Sequence, residues 1–144
     1  MYPLGHIGIT LLLSRIVSEK LKIPFNVKLI LIASILPDIL DKPLGIVGMG
    51  GGRFIFHSLI FVVLMYFIRK ELFFGCAVHL ILDKMWEEPD VLLFPFLGLP
   101  TYGEEVSCFD FIIFFLQSRY AQAGELVGSI SLIIYKTTTH QSTS

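Results

Sequence analysis

Three histidines and three aspartates stand in stretches of this chain that are otherwise apolar: His6, His57 and His79, with Asp38, Asp41 and Asp83. Imidazole nitrogens and carboxylate oxygens are donors that zinc takes, and manganese accepts a similar set. His79-Leu-Ile-Leu-Asp83 puts an imidazole and a carboxylate four residues apart, on one face of a helix. Asp38 and Asp41 are three apart, and Arg53 and His57 four apart. Any one of these pairs occurs by chance in many helices, and a lone histidine in an apolar helix is usually a hydrogen-bonded packing residue. Six such donors together predict a site for one or two zinc-like ions, because ionisable groups are costly in apolar segments. Arg53, one turn from His57, is suited to hold a phosphate oxygen and stabilise developing charge. Glu87, close in sequence to Asp83, is a candidate proton shuttle.

The elements that must position these residues are six apolar segments, read as helices at about 4–19, 27–40, 53–69, 71–86, 107–119 and 124–136. Pro24 and Asn26 break the first pair, the stretch Gly45 to Gly52 the second, and Arg69-Lys70-Glu71 makes a tight turn. In an up-and-down bundle, His6 begins the first segment and Asp38 and Asp41 end the second. Arg53 and His57 begin the third, and His79 and Asp83 end the fourth. All of them then gather at one end. A network of ion pairs, with Lys42, Arg53 and Lys84 as counterions, is the competing account. Lys42 and Lys84 read more simply as snorkelling surface cations. The glycines 48 and 50–52 read as a hinge rather than a phosphate-binding nest, and Glu87-Glu88 opens a solvated loop over 87–106.

Composition supplies the setting. Of 144 residues, 54% are hydrophobic and 16% charged, with mean hydropathy +0.76. A soluble domain carries about a quarter charged residues, so a lipid environment accounts for the deficit better than a very apolar soluble domain does. The expected fold is all-α, a polytopic membrane bundle of about five to six helices in a single domain over 1–136, with a polar, disordered tail at 137–144. The segments are short: about 15 residues rise roughly 22 Å, against a hydrocarbon core of about 30 Å. Lys20, Lys22 and Lys28, then Arg69 and Lys70, lie at the end opposite the acidic residues, with Arg119 read as a third cationic turn. By the positive-inside rule that end is cytoplasmic, the metal site faces the other side, and six crossings return both termini there. The opening Met-Tyr-Pro-Leu-Gly-His shows no signal peptide. A net charge of −1 gives no reason to expect nucleic acid. Cys76 and Cys108 read as packing residues.

Leu36-Pro37-Asp38-x-x-Asp41, Arg53-x-x-x-His57-Ser58, His79-Leu-x-Leu-Asp83 followed by Met85-Trp86-Glu87-x-Pro89, and Leu92-Leu93-Phe94-Pro95 resemble the membrane-bound metal-dependent hydrolases. That family includes the LexA-regulated inner-membrane hydrolases of bacteria. The resemblance runs from His6 to about Gly98, roughly two-thirds of the chain. Gly52 stands where the family often has a histidine, which removes one possible ligand. The aspartates are three apart where the family often has two, which leaves open whether Asp38 or Asp41 binds metal. The order His, Asp, His, HxxxD is also similar to zinc-dependent phospholipase C and the zinc single-strand nucleases. That similarity implies phosphoester hydrolysis, and a site at the bilayer edge suits an amphiphile, which makes a lipid head group the expected substrate class and membrane lipid the partner. A non-enzymatic membrane protein with a structural or sensing metal is the second reading. An ion conduit would need polar residues through the full depth of the bundle, and the end away from the cluster is apolar. A protease or acyl hydrolase would need HExxH or a nucleophile elbow, and Ser58 lies in neither.

Overall fold

The computed structural model describes residues 2–99 and 107–141. Seven α-helices and no strand are present among them: α1 (Pro3–Leu21), α2 (Val27–Ile46), α3 (Leu59–Ile68), α4 (Lys70–Leu82), α5 (Pro89–Leu92), α6 (Cys108–Gln117) and α7 (Arg119–Gln141). Local signals set most boundaries. Asn26 caps α2 by accepting from the backbone N–H of Lys28 and Leu29, and Ser58 caps α3 by accepting from Phe61. Because Ser58 starts that helix, Arg53 and His57 precede it. His57 closes a 3-10 turn, Ile55–His57, instead of sharing a helical face with Arg53. α5 is a single turn within the stretch expected to be a loop. Helix α7 begins at Arg119, five residues before the predicted start, and continues through Gln141, past the position where the tail was expected to begin.

Helices α2, α3 and α4 pack around a core of Ala33, Phe61, Val62, Cys76 and Leu80, closed at one end by Met85 and Val91. Two crossings depend on small residues, as helix contacts in lipid commonly do. A Cβ on Gly75 of α4 would lie 2.3 Å from the Ala33 side chain of α2, and one on Gly8 of α1 would lie 1.9 Å from the Gly128 carbonyl oxygen of α7. Pro37, inside α2, cannot donate to the carbonyl of Ala33. That carbonyl instead lies 3.7 Å from the Cys76 thiol of α4.

The last two helices depart from an alternating bundle. Near the start of α1, the backbone N–H of Gly5 donates to Glu125 at 2.8 Å. Near its end, Arg15 donates to Thr138 at 2.7 Å. Helix α7 therefore runs parallel to α1, and its C-terminal end lies opposite Tyr2. The alternation of six segments is not kept, because α6, with ten residues, does not return across the bundle. It stays at the starting end of α1, where the Tyr2 hydroxyl donates to the Phe111 carbonyl. Arg119 follows α6 at this end, not in a third turn at the cationic end. Beside it, the Tyr120 hydroxyl donates to the Leu82 carbonyl at the end of α4.

Candidate metal centre

Four elements deliver donors to one buried point. Asp38 comes from the second half of α2, His57 from the turn before α3, His79 from the last turn of α4, and Asp83 from the residue that caps α4. A donor atom from each lies within 4.8 Å of the other three, and all four residues are buried. His57 Nε2 is 3.2 Å from His79 Nε2, 3.6 Å from Asp38 Oδ1 and 3.7 Å from Asp83 Oδ2. His79 Nε2 is 3.8 Å from each of the same two oxygens. A tetrahedron with bonds of about 2.0–2.1 Å has edges of about 3.3–3.4 Å, so this set needs only small adjustments to close on a zinc-sized ion.

The opposite ring nitrogens fix what the Nε2 atoms can do. His57 Nδ1 lies 2.6 Å from Asp41 Oδ2. The same carboxylate accepts the backbone N–H groups of Phe54 at 2.9 Å and Phe56 at 3.4 Å, so it serves as an acceptor. His79 Nδ1 lies 2.7 Å from the Ser34 carbonyl oxygen, which has no proton to give. Both Nδ1 atoms are therefore donors, and each neutral ring presents an Nε2 lone pair. Two lone pairs face each other, with two carboxylate oxygens close by, and the arrangement is repulsive unless a cation sits between them. Without a metal, a proton fills that role on His57. Burial disfavours its charge, but Asp38, Asp41 and Asp83 outweigh burial and raise its pKa to about 10. Burial likewise opposes the charge on Asp83, yet the imidazoles of His57 and His6 beside it hold its carboxyl well below the usual carboxylate range.

All six predicted metal residues thus come together, in two layers. Asp38, His57, His79 and Asp83 present donors to the centre. Asp41 stands behind His57 as its orienting carboxylate, the arrangement that fixes metal-binding imidazoles elsewhere. His6 stacks on His79, with ring centroids 3.9 Å apart. Its Nε2 is 3.1 Å from Asp83 Oδ1, and neither of its buried nitrogens has a hydrogen bond of good geometry among the described residues. The ion-pair account holds only in part: Lys42 Nζ is 2.7 Å from Asp38 Oδ2 and Arg53 is 3.5 Å from Asp83, but Asp41 takes its contacts from His57 and backbone. Lys84 pairs with Glu87 at 3.2 Å.

A cavity of about 620 Å³ opens beside the centre, lined by Asp38 and Asp83 and by both predicted catalytic residues, Arg53 and Glu87. Glu87 is on its exposed side, outside the buried cluster. Two contributors escaped sequence reasoning. Glu88, read as solvated loop, pairs with Arg53. Ser34 contributes only its carbonyl, a backbone acceptor that its residue type does not signal. Lys42, one of the candidate counterions, binds the outer oxygen of Asp38.

Small-residue crossings, polar groups turned inward and apolar side chains turned outward are features of a protein built for lipid. The chain belongs to the YdjM inner membrane protein family. The family model matches residues 1–141, which include every residue of the centre. Comparison with curated proteins and with solved structures gives no match. Membership of the YdjM family places the molecule at a membrane. Among the described residues, no helix is long and apolar enough to cross one. α3 and α4 are too short, while α2 is interrupted by Asp38, Asp41, Lys42 and two prolines.

Proposed function

We propose that this protein is an integral membrane, metal-dependent hydrolase that cleaves a phosphoester of the lipid head-group type at the membrane surface. The observation that supports the metal is the convergence of two imidazole lone pairs on two carboxylates, with both Nδ1 atoms already committed. Asp38, His57, His79 and Asp83 would hold a zinc-like ion, and His6 with the outer oxygen of Asp83 offers donors for a second; manganese suits the same ligands. Such an ion supplies Lewis acidity and an activated water at neutral pH. Asp41 and the Ser34 carbonyl keep the two rings in the binding tautomer. Arg53, on the cavity wall 3.5 Å from Asp83, binds a phosphate oxygen, and Glu87 exchanges a proton with solvent at the cavity's open side. The resemblance to zinc-dependent phospholipase C supports phosphoester chemistry. The clustering of Lys20, Lys22, Lys28, Arg69 and Lys70 away from the site supports a non-cytoplasmic position for the centre.

A structural or sensing metal is the second reading, favoured by one observation: four protein donors are enough to complete a tetrahedron, as in closed structural sites. Metal analysis by mass spectrometry of detergent-purified protein, beside His57→Ala/His79→Ala, tests the shared premise. One or more equivalents of zinc or manganese in the wild type, lost in the variant, is the expected result. Metal in neither would reduce the cluster to an ion-pair network and remove the hydrolase with it. If metal is retained but neither a soluble phosphodiester nor phospholipid is turned over, the structural reading prevails.

A further inference from the structure

Helix α6 is apolar over most of its surface and turns only part of it inward, with Phe115 against Tyr2 and Phe111 under the Lys42 ammonium. Its sequence, Cys-Phe-Asp-Phe-Ile-Ile-Phe-Phe-Leu-Gln, leaves Phe109, Ile112, Ile113 and Leu116 largely exposed. It is also nearly self-contained. Ser107 and Asp110 form a reciprocal cap at its start, and the Gln122 side chain donates to the carbonyls of Phe115 and Leu116 at its end. Among the described residues, Tyr2 holds it through the Phe111 carbonyl and the Phe115 ring, Lys42 sits over the Phe111 ring, and the turn into α7 ties its end. Yet this helix walls the catalytic cavity. Phe111 and Phe114 line it with Lys42, Arg53 and Lys84 and the carboxylates that pair with them, and the Lys42 ammonium lies 5.7 Å from the centre of the Phe111 ring. The cavity is therefore amphipathic, with a charged floor beside the metal centre and an aromatic wall whose outer surface is apolar and bare.

We propose that α6 is the acyl-chain wall of the substrate site: an anionic amphiphile places its head group at Arg53 beside the metal centre and lays its chain along Phe111 and Phe114, reaching the cavity sideways from the bilayer. The inference rests on the hydrolase reading for its head-group chemistry and goes beyond it in assigning chain recognition to a particular helix. Membership of an inner membrane protein family makes lipid the medium against the bare face of α6; the lining cations are paired with carboxylates, Arg53 with Glu88 among them, so a negatively charged head binds by displacing Glu88 from Arg53. A buried protein partner would leave Phe114 inaccessible to such a chain.

The test reads binding rather than turnover. Trp86 is the single tryptophan, so Trp86→Phe/Phe114→Trp carries one reporter on the wall. Trp86→Phe/Leu126→Trp places the control on an exposed position of α7. Each, in nanodiscs, is titrated with a dodecyl phosphonate bearing bromine on its chain, with and without EDTA. Quenching several-fold stronger at position 114 than at 126, reduced by adding Arg53→Gln and absent with inorganic phosphate, is expected. Equal quenching at both positions in both conditions overturns the chain wall. Turnover of a soluble phosphoester by that same preparation would leave the hydrolase reading standing. Selective quenching that survives EDTA, in protein without turnover, would do the reverse.

Discussion

At the residue scale, the division between binding and orienting groups makes Asp41 the informative position. It holds His57 Nδ1 at 2.6 Å and presents no oxygen to the central set. Asp41→Asn preserves the shape but replaces a carboxylate with an amide, so the ring loses both its fixed tautomer and part of its basicity. Loss of such an outer partner ordinarily costs about 10–100-fold in metal affinity. Chelator competition on the purified protein should show a drop of that size, whereas Asp83→Ala, which removes a donor, should leave no stoichiometric metal. Identical behaviour of the two variants would place Asp41 among the ligands. Arg53 makes a different prediction. Its guanidinium contacts Asp83 and Glu88 from the cavity wall and is not a donor. Arg53→Ala should therefore retain its metal while phosphoester kcat/KM falls by about 100-fold or more, the usual consequence of removing one preorganised charge-stabilising donor. Unchanged turnover in a metal-loaded enzyme would end the clamp assignment.

At the element scale, the site depends on how closely α2 and α4 approach. His79 reaches the Ser34 carbonyl across that contact at 2.7 Å, four residues along from Gly75, whose missing side chain allows it. Gly75→Val would drive its Cβ into Ala33, where the spacing is already 2.3 Å. Overpacking of this kind costs about 1–3 kcal/mol. The variant should melt lower in detergent and, with His79 drawn away from Ser34, bind metal more weakly. An unaltered melting temperature and metal content would show that the crossing is plastic. This contact also marks where sequence reasoning stopped. The apolar segments behind α1 to α4, and the placement of His6, Asp38, His57 and His79 at one end, were legible because breaks such as Asn26 and Arg69 separate them. The separate duties of Asp38 and Asp41 were not. Three residues apart, both fall on one face, and only the backbone path of 54–56, which wraps Phe54 and Phe56 onto Asp41, decides between them. The course of α7 was equally hidden, since its pairing with α1 rests on Gly8 meeting Gly128, a fit with no local sequence signal.

At the scale of the whole molecule, the difficulty is how a chain of an inner membrane family embeds when none of its helices qualifies alone. The answer lies in where polarity sits. His6, Thr10, Ser14, Ser34, Asp38, Asp41, His57 and His79 are all buried, so much of the polarity of α1 and α2 faces other helices, while Glu19 and Lys20 at the end of α1 are exposed. Outward positions such as Leu13, Ile32, Ile39, Val63, Phe67 and Ile81 are apolar and exposed. A 19-residue α1 rises about 28 Å, close to the roughly 30 Å of a hydrocarbon core. A bundle that spans as a unit would place the His/Asp cluster at one surface and Lys20, Lys22, Arg69 and Lys70 at the other. Because α7 runs parallel to α1, the two ends of the chain then lie on opposite sides, unlike the same-side arrangement of six alternating crossings. Reporter fusions that are active on only one side of the membrane should show the C-terminus cytoplasmic and the N-terminus outside. Both reporters on one side would mean that the bundle lies along the surface, with α6 and the other bare faces pressed into a single leaflet.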